Sequence, residues 1–530
     1  MSKFYITTSI PYVNAPPHIG HALEFLQADA IARYRRLQGD DVFFLTGTDE
    51  HGAKIARAAE AAGKSPAAFV ESHAKLFSEL LAKLSVLPDG AIRTSDAKRH
   101  WPGAEELWRR IAKQGNIYKG TYRGLYCVGH EAFVTEKDLV DGVCEDHGHA
   151  PEQVEEENYF FRLSEFGEEV RRRIESGTLE ILPQKRKNEA LAFLAEGAQD
   201  ISFSRPAKDI PWGIPVPGDA EHRMYVWCDA LSNYLTGLGF GSGSYATFEK
   251  YWPADMHVIG KDILRFHAVI WPAMLLAAGL PLPRRILVHG HIHSGGKKMS
   301  KSLGNVIDPF ELVDTYGTEA VRYALLGHVS VFEDTDLTRE RIHEIYTAHL
   351  ANGIGNLVAR TAAMAEKYFG GRMQRPPDVA LAVVPLKADI DILGLPRRDF
   401  KIGSTTVSWF VENKTAPQYR AAWQDYRLGD ALLEVMQLFR TLDRYIQDYE
   451  PYKLIERDKD QAQAVLWNIL SALNVSVPLL LPFLPATASA LAEVLGVTSD
   501  NKIEEQSEYI VSKPQALFPR VEEPAEKFEL

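Results

Sequence analysis

Two histidines near the start of the sequence have the type and spacing of a phosphate-binding pair. His18 and His21 lie in Pro16-Pro17-His18-Ile19-Gly20-His21, where a strand-like run gives way to a helical pattern. A helix start offers free N–H groups and a positive dipole end to a phosphate, and imidazoles three residues apart share a helical face. Gly20 would let a flat base approach the backbone. Ordinary turn histidines are the alternative for this segment taken alone.

A lysine-rich loop between glycines, Lys297-Lys298-Met299-Ser300-Lys301-Ser302, is the second candidate. On a mobile loop, Lys298 and Lys301 can reach the β- and γ-phosphates and stabilise departing pyrophosphate. A lone run of this kind is more often a solvated loop. Together and in this order, the two segments resemble the HIGH and KMSKS elements of class I aminoacyl-tRNA synthetases. The resemblance implies catalytic roles for His18, His21, Lys298 and Lys301, with Gly20 and Lys301 at the ATP.

Four further segments narrow the resemblance to the methionyl-tRNA synthetase family. They are residues 9–14, 46–52, 225–230 and 260–267, and the match covers nearly the whole chain apart from residues 371–418. It implies that Asp49 holds the substrate ammonium and that Gly260 and Asp262 meet the ATP ribose. A mostly apolar wall with aromatic edges suits a sulfur-containing side chain, although core packing is the commoner role of any single aromatic residue. The implied thioether pocket consists of Ile10, Tyr12, Trp227, Ala230, Leu231, Tyr234, Ile263 and His267.

The reaction that this resemblance implies is attack of the L-methionine carboxylate on the α-phosphate of ATP, which carries Mg²⁺. The products are methionyl-adenylate and pyrophosphate, and methionine is then transferred to tRNA(Met). Positioning and electrostatic stabilisation would provide most of the acceleration, without a side-chain nucleophile. Two alternatives stay open: a class I synthetase for another amino acid, and a catalytically silent tRNA-binding paralogue. The aromatic pocket residues favour methionine over the first, and the intact histidines and lysines weigh against the second.

A repeated Cys-x-x-His spacing predicts a metal site. Cys127-Val-Gly-His130 and Cys144-Glu-Asp-His147 supply two thiolates and two imidazoles, which suit a closed tetrahedral Zn²⁺ site. These positions resemble the single zinc knuckle of some methionyl-tRNA synthetases, in which a cysteine commonly stands at the position of His130. We expect one structural Zn²⁺ held by Cys127, His130, Cys144 and His147. A knuckle without metal is the alternative, and His149 is a spare candidate ligand.

Three residues in the C-terminal half are candidates for reading the anticodon. Asn356 and Arg360 are four residues apart and share a helical face, at positions where the family reads the methionine anticodon. Tyr452, in Glu450-Pro-Tyr-Lys453, stands where a tryptophan is typical. Its ring can still stack on an unpaired base, with a smaller contact area. A solvated helix face is the alternative for Asn356 and Arg360.

The elements that must position these residues begin with a β/α pattern. Residues 4–10 and 42–46 read as strands, and residues 18–37 and 52–84 as helical. After a change of texture at residues 118–222, strand-like runs return at 224–227, 257–259 and 286–289. We therefore predict an α/β fold with a doubly wound parallel nucleotide-binding sheet. Its halves are residues 1–117 and 224–334, split by a connective insertion with the zinc knuckle at 118–223.

Helical periodicity dominates the rest of the chain, notably at residues 341–368 and 426–449, and predicts an α-helical anticodon-binding bundle at 335–530. Residues 371–418 interrupt it with paired prolines and a strand-like run at 405–411, and are interpreted as an atypical insertion. The uncharged, leucine-rich stretch 461–492 contains three prolines, Pro478, Pro482 and Pro485. These favour a buried helix, a turn and a second helix over a membrane span.

Composition limits the possible classes of protein. Hydrophobic residues at 45% and charged residues at 25% are typical of soluble globular chains. The net charge of -12 argues against a nonspecific nucleic-acid binder but allows a local basic face. Three cysteines are too few for a disulfide scaffold. With no signal-peptide pattern and no dimerisation module recognised, we expect a cytoplasmic monomer that does not bind membranes.

Overall fold

The computed structural model describes residues 1–127, 132–134, 139–144, 148–243, 245–299, 305–377, 406–498 and 506–522. The chain forms two compact units, Met1–His291 and Ile292–Leu530. Each unit has its own sheet and helices, and the two are described in turn.

The first unit is built on a six-stranded, wholly parallel sheet. Of its neighbouring strands, the central pair is the most distant in sequence, with Ile6 opposite Met256. This sheet confirms the predicted parallel α/β fold. The strands, in spatial order, are Gly90–Arg93, Asp41–Thr48, Lys3–Thr8, Met256–Gly260, Arg285–His289 and Glu180–Leu182.

Both faces of the sheet are covered. Successive side chains of a strand point to opposite faces, and the first strand shows this alternation. Phe4 lies under the guanidinium of Arg35 on helix Ile19–Leu37, whereas Tyr5 belongs to the core that contains Trp108 and Trp271. Burial on both faces explains why the central strands read as continuous apolar runs. The helices of this unit are Ile19–Leu37, Ala53–Ala61, Pro66–Lys83, Trp101–Lys113, Gly167–Glu175, Gln184–Ala195, Val226–Leu231, Asn233–Thr236, Ala246–Tyr251 and Trp271–Ala277, the last preceded by a 3₁₀ turn at Lys261–Ile263 and a π-helical turn at Phe266–Ile270.

Antiparallel strands form two small sheets and a hairpin in the region between the two halves of the parallel sheet. Ile117–Cys127 pairs with Glu152–Phe161 over most of its length, flanked by Ala132–Val134 and Ile201–Ser202. Three shorter strands, Ser204–Pro206, Asp219–Met224 and Pro215–Val216, form a second sheet, and Leu139–Val140 pairs with Val143–Cys144. One strand of this region, Glu180–Leu182, joins the edge of the parallel sheet beside Arg285–His289. The sequence pattern did not predict that connection.

Two details of the first unit differ from the expected elements. Met224 ends an antiparallel strand and Val226–Leu231 is helical, so residues 224–227 do not form a strand of the parallel sheet. Residues 52–84 form two helices rather than one. They separate at Gly63, whose φ of 65° lies in the left-handed region, and the second helix is capped by the Ser65 hydroxyl.

The second unit opens with a hairpin and continues as helices. Ile292–Ser294 pairs with Lys297–Lys298 across Gly295 and Gly296, which have φ of 64° and 72° as a two-residue hairpin turn requires. Thr335–Asp336 adds a parallel strand, and Arg372–Gln374 pairs with Glu508–Ile510. The helices confirm the predicted helical region and are Pro309–Tyr316, Thr318–His328, Arg339–Ile345, Tyr346–Gly355 (π-helical), Asn356–Phe369, Val407–Phe410, Val411–Thr415 (π-helical), Ala416–Gln424, Leu428–Tyr449, Pro451–Leu454, Lys459–Leu480 and Pro485–Leu495.

The strand predicted at residues 405–411 is wrong. From Val407 onward this run is helical, because Thr406 caps the helix by accepting a hydrogen bond from the Trp409 N–H at 3.1 Å. Val407, Phe410 and Val411 are buried at helical spacing. That burial outweighs the weak strand preference of β-branched residues. Residues 378–405 of the interpreted insertion lie outside the described residues.

The apolar stretch 461–492 forms the expected helix, turn and helix. Lys459–Leu480 is long and apolar enough to cross a membrane, but 67% of its most apolar window is buried inside the protein. Pro478 lies in its last turn and Pro485 starts the next helix. The fully buried Arg322 donates hydrogen bonds to the carbonyl oxygens of Phe483 and Pro482 in the turn between them, which fixes the turn inside the bundle.

Candidate active site

The first histidine pair forms the cap of helix Ile19–Leu37. The Nδ1 atom of His18 accepts a hydrogen bond from the Gly20 N–H at 3.1 Å, and Nδ1 of His21 accepts from the His18 N–H at 3.1 Å. The two rings stack with centroids 3.8 Å apart. The side chains that would bind a phosphate therefore also satisfy backbone donors of the helix start.

This capping determines which ring nitrogens carry protons. Burial lowers the pKa of His18, with a further contribution from His291, and burial lowers the pKa of His21 well below its usual value, aided by His18 and His289. Both rings are neutral at pH 7, and each uses Nδ1 as an acceptor. The proton therefore resides on Nε2, which makes both rings hydrogen-bond donors.

The packing of the His18 ring is a second reason for glycine at position 20, besides the predicted approach of a base. A Cβ atom built on it would lie 2.9 Å from Cε1 and 3.0 Å from Nδ1 of His18. Any side chain here would displace the His18 ring from its capping position.

A cavity of about 270 Å³ lies beside this helix start within the first unit. Its wall contains every residue that was predicted to bind methionine, and His21 lies at its edge. Trp227 stacks on Phe266 with ring centroids 3.6 Å apart. The predicted residues in the wall are Ile10, Tyr12, Asp49, Trp227, Ala230, Leu231, Tyr234, Ile263 and His267. Residues more than 200 positions apart in sequence thus meet around one space.

Asp49 gives the cavity one acidic end. Its side chain is 7% exposed, and its backbone is fixed on both sides: its N–H donates to the Pro11 carbonyl at 2.9 Å, and its carbonyl accepts from the Val13 N–H at 3.1 Å. Tyr12 lies between those two contacts. The two predicted ligands Tyr12 and Asp49 are therefore held on adjacent backbone segments.

His267 closes the cavity with an uncharged, oriented ring. Burial lowers the pKa of His267 to about 4, so the ring is neutral at pH 7. Its Nδ1–H donates to the Ile263 carbonyl at 2.9 Å, and its Nε2 accepts from the Tyr234 hydroxyl at 2.7 Å. Burial raises the pKa of Tyr234 well above its usual value, so the hydroxyl keeps its proton. The side of the cavity formed by Tyr234 and His267 is therefore uncharged, which suits an apolar ligand end.

The sequence did not single out several residues of the site. Ser9, Lys54 and Asn233 also lie in the cavity wall. Glu24 accepts from the Ser9 N–H at 2.7 Å and hydroxyl at 2.6 Å, and its other oxygen lies 3.0 Å from Nε2 of His289. Glu24 is three residues after His21 and so on the same helical face, which is the one signal that pointed to it.

The predicted ribose contacts lie at the end of the strand Met256–Gly260 and in the turn that follows it. Gly260 is the last residue of a central parallel strand. Asp262 is largely exposed, and its carboxylate lies 3.0 Å from Nε2 of His291. Carboxyl ends of parallel strands are the usual place for a nucleotide.

Of the predicted phosphate-binding lysines, Lys298 lies in the strand Lys297–Lys298 that follows the Gly295-Gly296 turn. The Gly296 N–H donates to the Asp336 carboxylate at 3.0 Å, which fixes the turn of this hairpin. Lys301 lies outside the described residues. The structure therefore places the first part of the lysine-rich segment in the second unit.

The predicted zinc ligands are described only in part. Cys127 and Cys144 are 3% and 2% exposed, and the Gly148 N–H donates to the Cys144 carbonyl at 2.7 Å. His130 and His147 lie outside the described residues. Within the described ranges, no group of three or more potential metal ligands comes together. Two buried thiols fit a knuckle, but the described residues alone do not complete a metal site.

The predicted anticodon residues lie on two helical segments of the second unit. Asn356 starts the helix Asn356–Phe369 and is exposed. Arg360, one turn later, pairs with Asp443 at 2.9 Å. Tyr452 is 40% exposed, and its hydroxyl donates to Glu450 at 3.0 Å. Arg360 and Tyr452 are thus linked to the same helix, since Asp443 belongs to Leu428–Tyr449 and Tyr452 follows its end.

Comparison with known proteins identifies relatives of the whole chain. The family described as tRNA synthetases class I (M) matches residues 4–145 and 134–362. Methionine–tRNA ligase of Caldanaerobacter subterraneus subsp. tengcongensis is 40% identical over 529 residues, 98% of this chain and 79% of that protein. The enzyme of the same description from Mycobacterium tuberculosis is 39% identical over 538 residues, 99% of each chain.

A solved structure shows the same fold. Mycobacterium tuberculosis methionyl-tRNA synthetase in complex with methionyl-adenylate superimposes with a TM-score of 0.88 at 36% identity. The match covers 98% of this chain and 100% of that one. Together with the parallel sheet, the capped histidine pair and the cavity, these matches confirm the resemblance first seen in the sequence: the chain belongs to the methionyl-tRNA synthetase family of class I tRNA synthetases.

Proposed function

We infer that this chain is a methionine–tRNA ligase, which couples L-methionine to ATP and then transfers it to tRNA(Met). One observation carries the proposal: a single cavity combines a carboxylate end at Asp49 with a neutral aromatic wall of Tyr12, Trp227 and His267. Methionine has a cationic amino group and an apolar thioether, so the two ends of the cavity match the two ends of this ligand. Sulfur packs well against aromatic edges.

The adenylation step follows from the residues beside that cavity. The methionine carboxylate attacks the α-phosphorus of ATP, the bond between the α- and β-phosphates breaks, and pyrophosphate leaves with Mg²⁺, which enters as part of the ATP substrate. The Nε2–H groups of His18 and His21 donate to phosphate oxygens as negative charge develops. Lys298 and Lys301 stabilise the departing pyrophosphate, and Gly260 and Asp262 hold the ribose.

Recognition of tRNA(Met) is assigned to Asn356, Arg360 and Tyr452. Arg360 makes an ion pair with Asp443 that orients its guanidinium, and the exposed ring of Tyr452 offers a stacking face. We expect Tyr452→Ala to weaken tRNA(Met) binding by roughly 1–3 kcal/mol, the usual effect of losing one base-stacking ring. Tyr452→Trp enlarges that ring and should tighten binding. Equal affinities of the two variants for tRNA(Met) would contradict the assignment.

A structural Zn²⁺ ligated by Cys127, His130, Cys144 and His147 also belongs to the proposal. Support comes from the two buried thiols and from the hydrogen bond of the Gly148 N–H to the Cys144 carbonyl. We expect one equivalent of zinc in purified protein and a loss of that zinc in Cys144→Ser. The buried Cys228, outside the repeat, supplies the matched control Cys228→Ser, which should keep the metal.

The proposal also includes a cellular location, an oligomeric state and a division into domains. We assign the enzyme to the cytoplasm as a monomer, with a split catalytic domain at 1–117 and 224–334, an insertion at 118–223 and the anticodon-binding bundle at 335–530. A sedimentation mass near 59.3 kDa is the expected result for a monomer, and a mass of about two chains would refute it.

The decisive experiment is pyrophosphate exchange into ATP with each of the twenty amino acids. Exchange with methionine alone is expected. Asp49→Asn should raise the methionine KM about 30-fold or more, because a buried carboxylate–ammonium pair contributes about 2 kcal/mol or more. Asp209→Asn, which changes an exposed carboxylate outside the cavity wall, is the matched control and should leave the KM unchanged.

Other outcomes of the exchange assay select the rival functions. Exchange with a different amino acid would identify a sister class I synthetase and show that the cavity was misread. No exchange with any amino acid would indicate a silent tRNA-binding paralogue. Lys301→Ala should abolish exchange with methionine if the lysine loop acts on pyrophosphate.

A further inference from the structure

A carboxylate lies buried between two imidazoles behind the wall of the cavity. Asp229 is 1% exposed; its Oδ2 lies 2.6 Å from Nδ1 of His51 and its Oδ1 lies 2.7 Å from Nε2 of His100. The histidines are 1% and 0% exposed. Burial acts to raise the pKa of Asp229, but the two histidines outweigh it and lower that pKa. An ionised carboxylate only accepts hydrogen bonds, so both imidazoles donate to it.

Asp229 and His51 lie on segments that build the cavity, and His100 contacts a further such segment. Asp229 lies on the helix Val226–Leu231, which supplies Trp227 and three more wall residues. His51 follows Asp49 by two positions. His100 immediately precedes the helix Trp101–Lys113, and its Nδ1 lies 2.8 Å from the hydroxyl oxygen of Thr236, two residues after Tyr234. One carboxylate therefore connects three segments, although none of the three cluster residues is in the cavity wall.

The turn that carries His51 is fixed by further contacts. Glu50 is buried and pairs with Arg93 at 2.7 Å, and its carbonyl accepts from the indole N–H of Trp212 at 2.5 Å. The Gly52 N–H donates to the Trp212 carbonyl at 3.2 Å. These bonds fix the turn against the neighbouring strand and the insertion. The bond from His51 to Asp229 fixes the same turn against the helix that bears Trp227.

We propose that Asp229, which accepts hydrogen bonds from His51 and His100, is a positioning residue for the amino-acid substrate. It sets the separation between the ammonium-binding carboxylate of Asp49 and the thioether wall on the helix Val226–Leu231. This inference rests on the proposed function. Both ends of methionine are satisfied together only when that separation is correct, and a displacement of about 1 Å can lower reactivity by about 100-fold. ATP is bound by other segments, so its affinity is independent of this cluster.

The test is a pair of substitutions at His51, assayed by pyrophosphate exchange. His51→Leu removes the donor to Asp229 and is expected to raise the methionine KM by about tenfold or more, with the ATP KM unchanged within about twofold. His51→Asn keeps a nitrogen donor near the position of Nδ1 and should recover most of the methionine affinity. A structural role alone would reduce the active fraction and would move neither KM selectively.

A second pair keeps the inference testable if His51→Leu does not fold. His100→Gln retains a nitrogen donor near the position of Nε2, whereas His100→Leu does not, so the methionine KM should be higher in the leucine variant. Folding of each variant is checked by its thermal unfolding midpoint. A folded leucine variant with unchanged methionine KM would overturn the inference, as would equal increases in the methionine and ATP KM values. Absence of methionine-dependent exchange in the wild type would instead overturn the proposed function, and this inference with it.

Discussion

The hydroxyl of Tyr234 should contribute measurably to methionine affinity although it need not touch the ligand. It donates to Nε2 of His267 at 2.7 Å, while Nδ1 of the same ring donates to a backbone carbonyl at 2.9 Å. Tyr234→Phe removes the first bond and leaves a buried nitrogen without a donor. In the empty cavity, water can replace the hydroxyl. Bound methionine excludes that water, so the loss appears in the binding free energy.

The expected size of this effect follows from the burial of the pair. Tyr234 and His267 are 1% and 2% exposed, and an unsatisfied buried polar atom costs about 1–3 kcal/mol. The methionine Kd should therefore rise about 5- to 150-fold. Calorimetric titration of methionine measures it directly. Tryptophan fluorescence provides a second signal, since Trp227 lies in the cavity wall.

Tyr5→Phe is the matched control for this prediction. The Tyr5 hydroxyl donates to the backbone carbonyl of Tyr234 at 2.7 Å, is fully buried and lies outside the cavity wall. Its loss should lower the free energy of unfolding by about 1 kcal/mol and leave the methionine Kd unchanged within about twofold. Equal Kd values for folded Tyr234→Phe and wild type would refute the reasoning. An equal increase in the methionine Kd for Tyr234→Phe and Tyr5→Phe would also refute it, because the effect would then come from general destabilisation.

Three further predictions test other parts of the structure. Gly20→Ala places a Cβ 2.9 Å from the His18 ring and should lower kcat for pyrophosphate exchange, whereas Gly120→Ala, which meets neighbours at 3.4 Å, should not. Burial lowers the pKa of His267 from 6.5 to about 4. Between these two pH values the unfolded chain binds a proton at this histidine and the folded chain does not. The free energy of unfolding therefore falls as the pH falls through this range. In urea unfolding, His267→Gln should reduce that pH slope by up to about 1.4 kcal/mol per pH unit; parallel slopes would contradict this. Thr406→Ala removes a helix cap and should lower the free energy of unfolding by about 1 kcal/mol.

The sequence was most informative where chemistry restricts both residue type and spacing. The cavity wall contains every residue expected to bind methionine, because that expectation came from whole segments rather than isolated aromatics. The parallel sheet was likewise predictable, since strands buried on both faces form apolar runs. In contrast, the contact of Glu24 with His289 joins residues 265 positions apart, and no local pattern indicates such a pair.

Local residue preferences gave a wrong prediction where tertiary contacts determine the secondary structure. The run 405–411 is rich in β-branched and aromatic residues, which favour a strand, yet the cap at Thr406 and the burial of Phe410 make it helical from Val407. The edge strand Glu180–Leu182 was not predicted because three residues carry too little periodicity. Its pairing with Arg285–His289 becomes apparent only in three dimensions.

The pairing of the first strand with Met256–Gly260 has a consequence for synthesis on the ribosome. The Tyr5 N–H donates to the carboxylate of Asp255, 250 residues later. At roughly 5–20 residues per second, the partner strand emerges about 12–50 s after the first. Throughout that interval one side of Lys3–Thr8 presents unpaired backbone groups, a known risk for aggregation. We therefore expect nascent chains stalled before residue 256 to depend on chaperones. Chains stalled well beyond Arg285–His289, the last strand of the parallel sheet to be synthesised, should become resistant to protease.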